Sequence, residues 1–177
     1  MEKTIYGFTA RNSAGKEILF DQFKDKVLLI VNTASGCGHT PQLAELEEIY
    51  QRYKNSGLIV IGFPTDQFSQ EPLEGKAIDE FCSVNYGVTF PIMEKCKIKG
   101  EHAHPIFQFF ADKKQNGKIS SAPYWNFYKY LIGRDGKVID YFFTYRHPTN
   151  KKIIRAIEKA LSIKPLGAEH KTELQKL

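Results

Sequence analysis

Hydrophobic and polar positions along this 177-residue chain follow two different periods. Val27-Leu28-Leu29-Ile30-Val31 is a continuous aliphatic run rich in β-branched residues, the pattern of a central strand covered on both faces. From Thr40 as N-cap and Pro41 as first helical residue, Leu43, Leu46, Ile49, Tyr50 and Tyr53 recur at helical spacing until Asn55-Ser56-Gly57 stops the pattern. A second aliphatic strand, Leu58 to Phe63, follows at once. Strand, helix and strand in this order predict a right-handed βαβ unit with parallel strands. The segment after the first of those strands then lies at the carboxyl edge of the sheet, where open α/β folds bind ligands.

Tyr6-Gly7-Phe8-Thr9 and Glu17-Ile18-Leu19-Phe20, joined through Asn12-Ser13-Ala14-Gly15, predict an N-terminal β-hairpin. A helix is expected from about Lys76 to Asn85, and His104-Pro105 opens another that carries Ile106, Phe107, Phe109 and Phe110. Tyr128 to Ile132 and Lys137 to Phe142 flank Arg134-Asp135-Gly136, a hairpin signal, and Ile153, Ile154, Ile157 and Leu161 mark a final helix. The fold class is therefore α/β, with a central mixed sheet flanked by helices. Residues 1–164 are expected to form a single domain, followed by a polar tail over 165–177 without assigned structure.

Composition narrows the function. The formal charge of +5 comes from Lys and Arg scattered through the chain, which argues against nucleic-acid binding and could attract an acidic protein or an anionic thiol. The start has no continuous apolar signal core, and the longest aliphatic run is far too short to span a bilayer, so a cytoplasmic protein without a membrane partner is expected. Three widely spaced cysteines make no disulfide scaffold and read as free or catalytic thiols.

Cys37 stands in Ser35-Gly36-Cys37-Gly38-His39-Thr40-Pro41, where an apolar strand ends and a Thr-Pro pair opens a helix. Backbone N–H groups in a helix's first turn favour thiolate over thiol, so this sulfur is expected to be an exposed nucleophile. His102 and His104 could share a strand face, but Pro105 places them at a helix entrance, and two histidines without further ligands do not make a metal site. Cys96 lies outside any motif and reads as a spectator, with a backup redox role left open by the unknown distance to Cys37.

Four segments in order resemble the glutathione peroxidase family, a branch of the thioredoxin-fold superfamily: Asn32-Thr33-Ala34-Ser35-Gly36-Cys37-Gly38-His39-Thr40-Pro41, Gly62 to Phe68, Phe81 to Pro91, and Trp125-Asn126-Phe127. Gly100-Glu101-His102-Ala103-His104-Pro105 is similar to the family's sequence between its third and fourth motifs. The resemblance spans nearly the whole chain. It implies a thioredoxin-like fold and a peroxidase that attacks hydrogen peroxide or organic hydroperoxides with Cys37, where some relatives carry selenocysteine. It also implies that Gln67, Trp125 and Asn126 are hydrogen-bonding partners of the sulfur. Neutral N–H donors of this kind favour a thiolate and stabilise charge on the leaving oxygen. Taken alone, Trp125 would read as a core aromatic and Gln67 as a polar loop residue.

The surroundings of Cys82 resemble those of the resolving cysteine in thioredoxin-dependent members, which condenses with a sulfenic acid to give a disulfide. A disulfide needs Cα atoms within roughly 7 Å, so Cys82 is expected to reach Cys37 only after local unwinding of its helix. The other reading of Cys82 is a buried structural thiol. The expected reductant is thioredoxin, or else glutathione; no cofactor is implied. The short interval from Phe107 to Trp125, compared with the family's tetrameric enzymes, implies a monomer or small homo-oligomer.

The family commonly has Cys-Asn where this chain has Thr65-Asp66. A carboxylate at Asp66 opposes ionisation of Cys37 unless it points away or pairs with a cation. A protonated His39 would have the opposite effect, although a solvent-exposed ring is the simpler reading. Two rival functions share parts of this picture. A peroxide-sensing relay would use the same chemistry at Cys37, whereas a binding module would require Cys37 to be inert.

Overall fold

A computed structural model describes residues 3–165. The main sheet has four strands. Its centre is β3 (Val27–Thr33), parallel to β4 (Leu58–Pro64) and antiparallel to β5 (Lys129–Ile132), which pairs in turn with β6 (Val138–Phe142). The helix α1 (Gln42–Tyr53) connects β3 to β4 as the predicted parallel crossover. Then follow α2 (Lys76–Tyr86), α3 (Pro105–Ala111) and the one-turn α4 (Lys113–Asn116), with α5 (Lys151–Ser162) closing the described chain. The sheet is thus mixed and flanked by helices.

Every residue of β3 is buried, and its side chains sort alternately onto two faces. Val27, Leu29 and Val31 enter a core with Leu43, Leu46 and Ile49 of α1, Ile78 and Cys82 of α2, and Ile153 and Ile157 of α5. Leu28 and Ile30 enter a second core with Ile106, Phe107, Phe109 and Phe110 of α3. Each such aliphatic side chain contributes about 1.5–3 kcal/mol on burial, so the continuous run that marked β3 in the sequence anchors both layers.

The N-terminal hairpin exists, but its strands are β1 (Thr9–Arg11) and β2 (Glu17–Leu19). The first strand lies later than expected because Ile5–Gly7 forms a 3-10 turn, with Ile5 fully buried and its N–H bonded to Gly136 O at 2.9 Å. That stretch is tied to the β5–β6 turn instead of to β2. The predicted polar tail lies, beyond Pro165, outside the described residues. Among the described residues, no helix is long and apolar enough to cross a membrane.

Candidate active site

At the end of β3 the chain makes a tight turn before α1, and Cys37 sits in that turn. Thr40 Oγ1 accepts from the Cys37 N–H at 3.1 Å and donates to Ala34 O at 2.7 Å. Thr40 therefore braces the cysteine loop and does not cap α1, which starts at Gln42, later than the sequence suggested. The His39 N–H donates to Cys37 Sγ at 3.3 Å, and it is the only hydrogen bond to that sulfur among the described residues. An N–H aimed at sulfur stabilises negative charge there. The backbone of His39 does this, while its ring Nδ1 lies 3.5 Å from Gln42 Nε2.

The position at the sheet edge is as expected, but the thiol is not exposed. Cys37 is only 8% accessible. The segment after β4 folds back onto its loop: the Gly36 N–H donates to Gln70 O at 2.8 Å, and buried Glu71 accepts from the Ser35 N–H at 2.9 Å and from the Ser35 hydroxyl. A Cβ at position 36 would stand 2.9 Å from Gln70 O, so glycine allows this close approach.

Trp125 and Asn126 lie just before β5, in a segment whose four carbonyls are all taken by buried polar groups. Trp125 O accepts from Asn32 Nδ2, Asn126 O from Thr144 Oγ1, Phe127 O from Lys129 Nζ, and Tyr128 O from the Asn32 N–H. Asn126 is fully buried, with Nδ2 3.4 Å from Gln70 Oε1 and Oδ1 lacking a partner among the described residues. Trp125 packs on the core that contains Cys37 and meets the Phe68 ring at 5.3 Å. Both residues are thus built into the layer that holds Cys37, without a hydrogen bond to its sulfur.

Gln67 is engaged elsewhere. Its Oε1 accepts from the Ile98 and Lys99 N–H groups at 2.6 and 2.9 Å, and its Nε2 donates to Lys99 O at 3.2 Å. The neighbouring Asp66 is exposed, and Lys95 Nζ stands 3.8 Å from its carboxylate while also bonding Leu73 O and Glu74. A cation beside the Asp66 carboxylate, one of the two conditions the sequence reading left open, is therefore present.

Cys82 is buried in α2, in the same core as Cys37. Burial, with help from the charges of Glu71 and Asp79, pushes its thiol up to about 12. Cys96 is packed against the other core, across the sheet, and burial with the charge of Glu94 pushes its thiol up to about 12 as well. All three thiols are free. His104 caps α3, its Nδ1 accepting from the Ile106 N–H at 3.2 Å, so the helix-entrance reading of this histidine holds. No group of three potential metal ligands occurs among the described residues.

Sequence reasoning missed Asn32, Glu71, Lys129 and Thr144 as parts of this site. Lys129 carried a signal, being a charged residue inside an otherwise apolar strand. Asn32 ends an aliphatic run, while Glu71 and Thr144 had no local pattern to mark them.

Residues 5–111 match the family model described as glutathione peroxidase. A glutathione peroxidase of Lactococcus lactis is 46% identical over 139 residues, covering 78% of this chain and 88% of that protein. The glutathione peroxidase-like peroxiredoxin 2 of Saccharomyces cerevisiae is 41% identical over 151 residues, covering 85% and 93%. A crystal structure of Trgpx in apo form superposes with a TM-score of 0.71 at 36% identity, covering 92% of this chain and 97% of the other. A thioredoxin-family thiol:disulfide interchange protein from Chlorobium tepidum, at 17% identity and a TM-score of 0.59 over 88% and 93% of the two chains, shares the fold. With a thioredoxin-like fold, a cysteine at the sheet edge and relatives that match most of its length, the chain belongs to the glutathione peroxidase family.

Proposed function

We propose that the protein is a two-cysteine thiol peroxidase in which Cys37 attacks hydrogen peroxide or an organic hydroperoxide. The Cys37 thiolate bonds the terminal oxygen, the O–O bond breaks, and Cys37 becomes a sulfenic acid while the leaving oxygen takes a proton to give water or the alcohol. The observation that carries this reading is the His39 N–H donating to the Sγ of a largely buried Cys37 at the sheet edge. Such a donor stabilises the attacking thiolate, and low local polarity strengthens every donor that faces the departing oxygen. Trp125 and Asn126 supply such donors in this proposal. Gln67 joins them once its amide leaves the backbone of Ile98 and Lys99.

Cys82 then condenses with the sulfenic acid, forming the Cys37–Cys82 disulfide and releasing water. A dithiol reductant of the thioredoxin type regenerates both thiols, in keeping with a cytoplasmic enzyme acting against oxidative stress. A buried thiol held up to about 12 is a poor nucleophile where it stands, so the proposal requires α2 to open. Two features make that opening inexpensive. Only Ile78 and Cys82 of α2 are buried, and Cys82 sits close to the end of the helix, where the left-handed Gly87 (φ 66°) bonds Cys82 O and Ser83 O.

Peroxide consumption by wild type, Cys37→Ser and Cys82→Ser, each with a thioredoxin system and with glutathione, tests the reading. The expected result is turnover by wild type with thioredoxin and failure of both variants. Full activity of Cys82→Ser with glutathione would replace the resolving step with a one-cysteine cycle, and an active Cys37→Ser would remove the proposal.

A further inference from the structure

We propose that Asn32 is the positioning residue that fixes Trp125 and Asn126 relative to the Cys37 loop. The inference rests on the peroxidase reading above and extends it to a residue that does not touch the reacting atoms. Regular pairing of β3 with β5 runs from Leu28↔Ile132 to Val31↔Lys129 and stops there. One residue further, the chain leaves the ladder because Phe127 takes a left-handed conformation, φ 60°, with its ring fully buried. Few residues other than glycine adopt this conformation unless their surroundings impose it.

Asn32 supplies those surroundings. Its main chain bonds Tyr128 O at 3.3 Å and the Phe127 N–H at 2.7 Å, and its side chain adds what the broken ladder no longer provides. Oδ1 accepts from the Tyr128 N–H and Nδ2 donates to Trp125 O, both at 3.0 Å. One fully buried side chain therefore serves a donor on one side of Asn126 and an acceptor on the other. A carboxamide of this length meets both demands, whereas a carboxylate would set a second acceptor against Trp125 O and an aliphatic side chain would leave both groups unpaired. Asn32 lies five residues before Cys37 on the same strand-to-turn segment, so a single residue couples the nucleophile's loop to its proposed donors.

The test compares Asn32→Leu and Asn32→Asp with Leu28→Ala, which removes a buried side chain of the same strand from the core other than the one Trp125 packs on. Two quantities are read on each reduced, folded protein: the single-turnover rate with hydrogen peroxide and the emission of Trp125, the chain's sole tryptophan. The expected result is a rate lower by about tenfold to a hundredfold in both Asn32 variants, the size of effect that misplacement by an ångström produces. Trp125 emission is expected to move in the same two variants, while Leu28→Ala keeps both readouts within twofold of wild type. Unchanged emission, an unchanged rate in the Asn32 variants, or an equal loss in Leu28→Ala would each overturn the proposal. Should Asn32→Leu fail to fold, Asn32→Asp carries the same criteria. Should wild-type Cys37 not react with peroxide, the peroxidase reading fails, and Trp125 emission alone still decides whether Asn32 holds the segment.

Discussion

The three cysteines illustrate how one residue type acquires different chemistry from its surroundings. Cys37 has an N–H donor on its sulfur, whereas Cys82 and Cys96 are held in the thiol form by burial and nearby carboxylates. At pH 8 a thiol near 12 is ionised only about one part in ten thousand, so limiting iodoacetamide should label Cys37 first in the reduced folded protein. Peptide mass spectrometry should find Cys82 and Cys96 at least about 100-fold slower until denaturant is added. Asn126→Ala is expected to lower kcat/KM for peroxide by about 100-fold, the scale at which one donor to a departing oxygen contributes. Steady-state kinetics checks this, with KM changing less than kcat. The sequence marked Cys37, Cys82, Trp125 and Asn126 through their motifs. It did not reveal the Lys95 ion pair with Asp66 or the bonds of Gln67 to Ile98 and Lys99, because both depend on contacts about 30 residues away along the chain.

Elements were legible wherever one period ran long enough. The aliphatic run of β3, the helical spacing of α1 and the turn residues between β5 and β6 all appear as anticipated, since each follows from local patterning that the core only reinforces. The exceptions are places where a specific hydrogen bond outweighs the periodic signal. Ile5 is drawn to Gly136 and displaces the first hairpin strand, and the Thr40 hydroxyl serves Ala34 and Cys37 in place of a helix end. The one-turn α4 was too short to carry a period. The element with the most to do in the proposed cycle is α2, which is held by two buried side chains and by the Ser13 hydroxyl on Asp79. Hydrogen exchange across 76–86 should therefore accelerate when wild type is oxidised with one equivalent of peroxide. It should stay slow in Cys37→Ser, where no sulfenic acid forms.

At the scale of the whole molecule, buried ionisable groups set how stability depends on pH. Burial lowers Lys129 to about 7 against an unfolded value of about 10.4, so the unfolded chain binds more protons between these limits and stability rises with pH across them. Cys82 and Cys96 act in the opposite direction. Their folded values near 12 exceed an unfolded value of about 8.5, so stability falls as pH rises from about 8.5 toward 12. Each group contributes at most about 1.4 kcal/mol per pH unit, and above 8.5 two thiols outweigh one lysine. Urea unfolding should show a stability maximum near about pH 8.5, with the alkaline fall reduced in Cys82→Ser/Cys96→Ser and the rise from pH 7 absent in Lys129→Met.

In the proposed cycle Cys37 takes the oxidation and passes it to Cys82. This transfer is tested most directly by adding one equivalent of hydrogen peroxide to the reduced protein and mapping its peptides by mass spectrometry. The expected product has lost two hydrogens and shows a single peptide pair joined through Cys37 and Cys82, with Cys96 free. A persistent sulfenic acid on Cys37 beside a free Cys82, or a disulfide through Cys96, would contradict the proposed cycle.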